Sequence, residues 1–124
     1  MVKQLPEKLS LRQRWIFFRE IENYMNAERP RLVLDCTNIH QMDRIAIHVL
    51  LRCLEEAMKR NGDVKLAAIP REALATLERI GAIRLFEVFH TTQEAVNSFH
   101  QAPMYAISQE LLSGSSPLAS EQAA

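Results

Sequence analysis

Leu32, Val33 and Leu34 form an unbroken apolar run closed by Asp35. That is the pattern of a strand buried on both faces of a parallel sheet. A polar turn follows, and Asp43 stands where an N-cap is needed: its carboxylate can accept from free N–H groups of a first helical turn, and its charge suits the positive helix end. The helix it opens is predicted to run to about residue 61, with Gly62 as its stop. Within it Ile47, Leu50, Leu51, Leu54, Ala57 and Met58 recur at spacings of three and four, which predicts an inward face. His48, Arg52, Glu55, Glu56 and Lys59 take the opposite face. At about 100° per residue Ile45 and Val49 project among those charges, an i, i+4 pair of β-branched residues pointing outward.

The rest of the chain alternates in the same way. Residues 2–5 predict a short edge strand stopped by Pro6. Ser10 with Gln13 fits a capping box for a helix over 11–27, whose Leu11, Phe18, Ile21 and Met25 share an inward side with Phe17 and Tyr24 adjoining. Trp15 and Ile16 lie at the edge of that side, placed to cover a sheet edge or meet another chain. Residues 64–69 read as a second apolar strand, and Pro70 opens a helix that turns Ala73, Leu74, Leu77 and Ile80 inward and stops at Gly81. Residues 86–89 predict a fourth strand. Thr91 and Glu94 form a second capping box for a last helix through about residue 100, with Ala95, Val96 and Phe99 inward. Four strands alternating with four helices predict an α/β fold with a small, mostly parallel sheet. Residues 1–103 are expected to form that domain, and 104–124, small and polar toward the end, a flexible tail.

Size and composition narrow the chemistry. At 124 residues there is room for one core and no separate catalytic domain. Fifteen basic residues balance fifteen acidic ones, and Arg12, Arg14 and Arg19 are offset by Glu20 and Glu22, so no basic stripe argues for nucleic acid. No apolar run approaches the roughly 20 residues of a membrane span, and the first residues lack a signal-peptide core, which predicts a cytoplasmic protein without membrane insertion. Cys36 and Cys53 read as small buried hydrophobes of a reducing compartment. A metal site would have to gather Cys36, His40, His48 and Cys53, whose spacings match no zinc pattern. The three glycines belong to no phosphate loop, which leaves nucleotide or other cofactors without support. A nucleophile would have to be Cys36 or Thr37 with His40 as base and Asp43 as orienter, a cluster that lacks an oxyanion hole and is ordinary turn and cap chemistry, so no enzyme is expected.

Taken together, VLD in the central strand, Asp43 at the turn, the NGDVKLAAIP segment, and LERIGAIRLFEVF followed by TTQEAV resemble the STAS domain, the fold of bacterial anti-sigma factor antagonists that also occurs on anion transporters. The resemblance spans 29–96, with 5–26 similar to the preceding strand end and first helix. In relatives switched by phosphorylation the Asp is followed by two small hydroxyl residues and a glycine, and the second hydroxyl takes the phosphate. Here Asp43 is followed by Arg44, Ile45 and Ala46, so Ile45 stands at the acceptor position and nothing there can be phosphorylated. Thr37, Thr91 and Ser10 are the other hydroxyls considered, the last two better explained as caps.

The resemblance implies a non-catalytic regulatory module that docks on a protein through the Asp43 turn and the start of the second helix, with Asn38, His40, Asp43, Arg44, Ile45, His48, Val49 and Arg52 as contact residues. The implied partner is an anti-sigma switch kinase or related signalling protein, or the ATPase of a transport complex. Ile45 and Val49 would form the apolar centre of that surface and Arg44, His48 and Arg52 its rim; the alternative is that Ile45 tucks under the turn and Val49 is an isolated exposed residue. Two other functions stand beside docking: sensing a small molecule beside the central strand, and serving as a structural subunit of a signalling assembly. Relatives begin with a strand pair, this chain with one short strand, and the resulting sheet edge or the aromatic first helix offers a homodimer surface.

Overall fold

The computed structural model describes residues 1–100; the expected tail lies outside the described residues. Parallel strands β1 (Val2–Gln4), β2 (Arg31–Asp35), β3 (Asp63–Ala67) and β4 (Glu87–Phe89) lie side by side in chain order. The crossovers carry α1 (Leu11–Met25), α2 (Arg44–Met58) and α3 (Arg71–Arg79), the last followed by a 3-10 turn (Ala82–Leu85); α4 (Thr92–Ser98) ends the described chain. The register sets Val33 between Val2 and Lys65, and Leu34 between Lys3 and Leu66. Leu32, Leu34, Val64 and Leu66 meet α1, α2 and α3 in the main core, whereas Val33 and Ala67 face Ala95 of α4 on the other side. No helix among the described residues is long and apolar enough to cross a membrane.

Local chemistry explains where the elements stop and start. Ser10 Oγ accepts from the Gln13 N–H at 3.2 Å, and Thr91 with Glu94 completes a reciprocal capping box. The Tyr24 hydroxyl donates to the Arg31 carbonyl (2.6 Å) and accepts from its N–H (2.8 Å), tying the end of α1 to the first residue of β2.

Three expected faces are corrected. On α2 the buried residues are Ala46, Val49, Leu50, Cys53, Leu54 and Ala57; Ile47 and Leu51 are half-buried and Met58 is 63% exposed. The expected face is thus rotated by roughly 70°. The largest apolar residues do not mark the buried side, because the stripe that lies closest to the sheet includes small ones, Ala46, Cys53 and Ala57, which let the helix approach. Val49, expected outside, is 0% exposed. On α1 Leu11 is 67% exposed, and Ile80 is exposed because α3 ends one residue earlier. The left-handed residue after α2 is Asn61 (φ 60°), not Gly62.

Ala68 closes β3 with φ 56°, and its N–H donates to the Phe89 carbonyl at 3.0 Å. An L side chain in the left-handed region costs about 1 kcal/mol that glycine does not. Ala68→Gly is therefore expected to raise the melting temperature by a few degrees, about 0.5 kcal/mol net of the entropy glycine adds to the unfolded chain. A lower melting temperature in calorimetry would show that the conformation is not strained.

Candidate functional site

The segment between β2 and α2 alternates buried pegs with exposed polar side chains. Cys36, Ile39 and Met42 are buried, and between them Thr37, Asn38, His40, Gln41 and Asp43 face solvent. Asp35 Oδ1 accepts from the Thr37 N–H at 3.0 Å and from the Thr37 hydroxyl, an Asx-type turn that bends the chain out of the strand. The Ile39 N–H donates to the Cys36 carbonyl at 3.0 Å. Asp43 then caps α2 as expected: its Oδ1 accepts from the Ala46 N–H at 2.9 Å, and its carbonyl accepts from the Ile47 N–H at 3.0 Å. The polar groups are carried on a turn fixed from below by apolar side chains and from within by hydrogen bonds.

The eight residues predicted for this surface separate into three groups. Asn38, His40, Asp43 and Arg44 are exposed on the turn and the first helical position, with half-buried Ile45 packed against the core beside them. His48 and Arg52 are also exposed, but they line a groove between α1 and α2. Val49 is sealed inside and leaves the surface, so the expected apolar centre of Ile45 and Val49 does not exist. The segment presents a polar ring with the edge of one isoleucine.

The suggested nucleophile cluster is not assembled. His40 Nε2 lies 3.3 Å from Glu7 Oε2, both side chains largely exposed, while Asp43 is occupied by its cap. Burial pushes the Cys36 and Cys53 thiols up to about 12, so neither forms appreciable thiolate near neutral pH. Thr37 Oγ1 donates to Asp35 rather than to any base. Among the described residues no group of three or more His, Cys, Asp and Glu gathers as a metal site. In the central strand Leu32, Val33 and Leu34 are fully buried.

Between α1 and α2 lies a groove of about 630 Å³, with Phe18, Ile21, Met25 and Cys53 as floor and Leu11, Arg14, Trp15, Arg19, Glu22, His48, Arg52 and Glu56 around it. Trp15 is 62% exposed, with the Arg19 guanidinium 5.0 Å from its ring centroid. Arg14 Nη1 lies 3.5 Å from His48 Nδ1, and Arg52 Nε 3.5 Å from Glu56 Oε2. Sequence reasoning set Trp15 at the edge of the inward face but did not find the groove. The signal was the run Leu11, Trp15, Phe18 and Glu22, whose apolar members pass beyond the buried stripe of Phe17, Ile21 and Met25.

Comparison with known proteins agrees with this architecture. The family model for the STAS domain matches residues 12–95. A candidate anti-sigma factor antagonist from Thermotoga maritima superimposes with a TM-score of 0.70 at 16% identity, covering 81% of this chain and 88% of that one. An anti-sigma-factor antagonist (STAS) domain protein from Planctomyces limnophilus gives 0.70 at 15% identity, covering 81% and 90%. At these identities the likeness carries the fold. No curated protein matches the chain.

Proposed function

Since the chain belongs to the STAS domain family, we propose that it acts as a regulatory binding module of the anti-sigma factor antagonist kind, docking on a partner protein through the Asp43 turn and the first turn of α2. The observation that carries this reading is the exposed ring of Asn38, His40, Asp43 and Arg44, held by the buried pegs Cys36, Ile39 and Met42. A surface already fixed in shape loses little conformational entropy on binding. With Val49 inside, recognition rests on hydrogen bonds and charge around the edge of Ile45, which gives specificity and on-rate more than hydrophobic affinity.

Ile45 also sets the regulation. A phosphoryl group at the start of a helix brings up to two negative charges and disrupts a docked interface by repulsion and desolvation. A branched hydrocarbon cannot accept one, so the surface is not switched by phosphorylation at that position. The family points to an anti-sigma switch kinase or a related signalling protein as partner, or to a transporter ATPase.

Arg44→Glu tests the surface. Arg44 is the exposed first residue of α2, where an acidic side chain suits the helix dipole, so stability should hold or rise by about 0.3 kcal/mol. The protein that co-purifies with the tagged wild type from its own cells should be lost. Undiminished co-purification would place docking elsewhere. Ile45→Glu is the poorer choice because Ile45 packs on the core and the variant would mix unfolding with lost binding. The other reading, a ligand-sensing or structural subunit, has the α1–α2 groove as its physical support.

A further inference from the structure

We propose that the α1–α2 groove is closed by a second copy of this chain, with two α1 helices packed antiparallel about a two-fold axis at Phe18. The groove presents Leu11 and Trp15, both more than half exposed, beside the aromatic floor of Phe18. Large side chains of this kind, contiguous and rimmed by charge, mark an interface rather than an ordinary surface.

The order of residues selects the occupant. Leu11 and Met25 each lie seven positions from Phe18, and Arg14 and Glu22 each lie four. Reversing the helix about Phe18 sets Arg14 against Glu22 of the second copy, Phe18 against itself, and Leu11 over the end of the partner groove that the buried Met25 floors. Seven-residue spacing keeps these residues along one seam of the helix, over about 21 Å between Leu11 and Met25. On α2, His48 and Glu56 each lie four positions from Arg52, so the same axis sets His48 opposite Glu56.

Charge fixes the orientation. The two helices run in the same direction, since Arg14 meets His48 near their starts and Arg60 Nη1 meets the Asn26 carbonyl at 3.2 Å at their ends. The groove therefore has a basic end at Arg14 and an acidic end at Glu22 and Glu56. Antiparallel packing joins unlike ends twice in one isologous interface, whereas parallel packing would join like ends. Among the described residues Arg14 and Glu22 make no ion pair within their own chain. Arg52 falls near the axis beside its own copy, where its pairing with Glu56 offsets the like charge. In this dimer the two Asp43 turns lie at opposite ends, leaving both docking surfaces free. The inference does not depend on the docking reading.

The test is sedimentation equilibrium of the full 14.2 kDa chain, with the emission of Trp15, its single tryptophan, followed on dilution. The expected result is a species of twice the chain mass that dissociates on dilution while the emission moves to the red. Arg14→Glu and Glu22→Arg should each weaken the dimer at least about tenfold, because each brings like charges together twice. Mixing the two variants should restore it, since both cross pairs are then complementary. A dimer that neither reversal weakens, or weakened variants that do not recover on mixing, would overturn the proposal. So would a monomer: one with blue Trp15 emission would assign the groove to residues 101–124, and one with red emission to a partner protein. Arg44→Glu should leave the dimer intact, which separates this test from that of docking.

Discussion

Lys65→Ala is expected to destabilise the domain by about 3 kcal/mol, and Lys65→Met by less than about 1 kcal/mol. Lys65 is 6% exposed in the middle of β3, between Val33 and Glu87 in the register. Its amine donates to Ser98 Oγ at 2.6 Å, lies 3.2 Å from Glu87 Oε1, and sits 4.2 Å from the Phe99 ring centroid and 5.5 Å from that of Phe89. Ser98 in turn donates to the Ala95 carbonyl at 2.7 Å. The charge is thus paired, hydrogen-bonded and set against aromatic faces, which is what makes a buried ammonium tolerable. Alanine removes both the amine and the four-carbon stem and leaves a cavity under α4. Methionine keeps an apolar stem of similar reach, and exchanging a buried ion for packed hydrocarbon is often close to neutral. Helix α4 has seven residues, too few to be stable without packing. In Lys65→Ala its amide hydrogens should therefore exchange before those of β2 and β3. Urea unfolding at constant m measures both variants. A methionine variant as weak as the alanine variant would show that charge, and not the stem, holds α4 down.

Gly62→Ala should cost about 3 kcal/mol, a fall in melting temperature of more than about 10 °C. A Cβ there would sit 2.1 Å from the Pro30 carbonyl oxygen and 2.7 Å from the Pro30 N and Cδ. None of these atoms belongs to a flexible side chain, so the backbone itself must move. That backbone is tied down: the Asp63 N–H donates to the Pro30 carbonyl at 2.9 Å, the Arg29 N–H to the Arg60 carbonyl at 3.0 Å, and the Arg60 guanidinium to Asn26. Separating the two loops would pull apart the start of the β2–β3 pairing. Gly81→Ala is the control. Gly81 has φ 80° but no atom within 4 Å of its would-be Cβ, so that variant should lose only about 1 kcal/mol through backbone strain. Equal losses at the two positions would contradict the close-approach account of Gly62.

Much of this fold is legible in the chain because each strand and cap is a local signal. The run 32–34 is fully buried as its composition predicts, and Asp43 and Thr91 cap the helices they were expected to open. Orientation is harder, because it depends on how closely elements approach. On α2 the small residues Ala46 and Cys53, not the largest apolar ones, mark the buried side, and Val49 lies with them. The role of Lys65 is hidden for a related reason: the apolar pattern of 64–69 gives the strand, but Ser98, Glu87 and the two phenylalanines are brought around the lysine only by the fold. Gly62 has the position of a helix stop, but Asn61 takes the left-handed conformation and glycine is needed at 62 because Pro30, distant in sequence, lies against it. The turn of 36–43 is marked by its position after the strand. Its polar character is legible in the sequence, whereas its buried pegs Cys36, Ile39 and Met42 are visible only in three dimensions.

The central claim, that the Asp43 turn is where a protein partner docks, is tested most directly by site-specific crosslinking in the protein's own cells. A photoreactive residue replacing Arg44 reports on the turn, and one replacing Glu78, exposed on α3, reports on a surface outside it. The account predicts a discrete crosslinked adduct from position 44, lost when Asn38 and His40 are both changed to alanine, and none from position 78. An adduct from position 78 alone, or equal adducts from both, would contradict it.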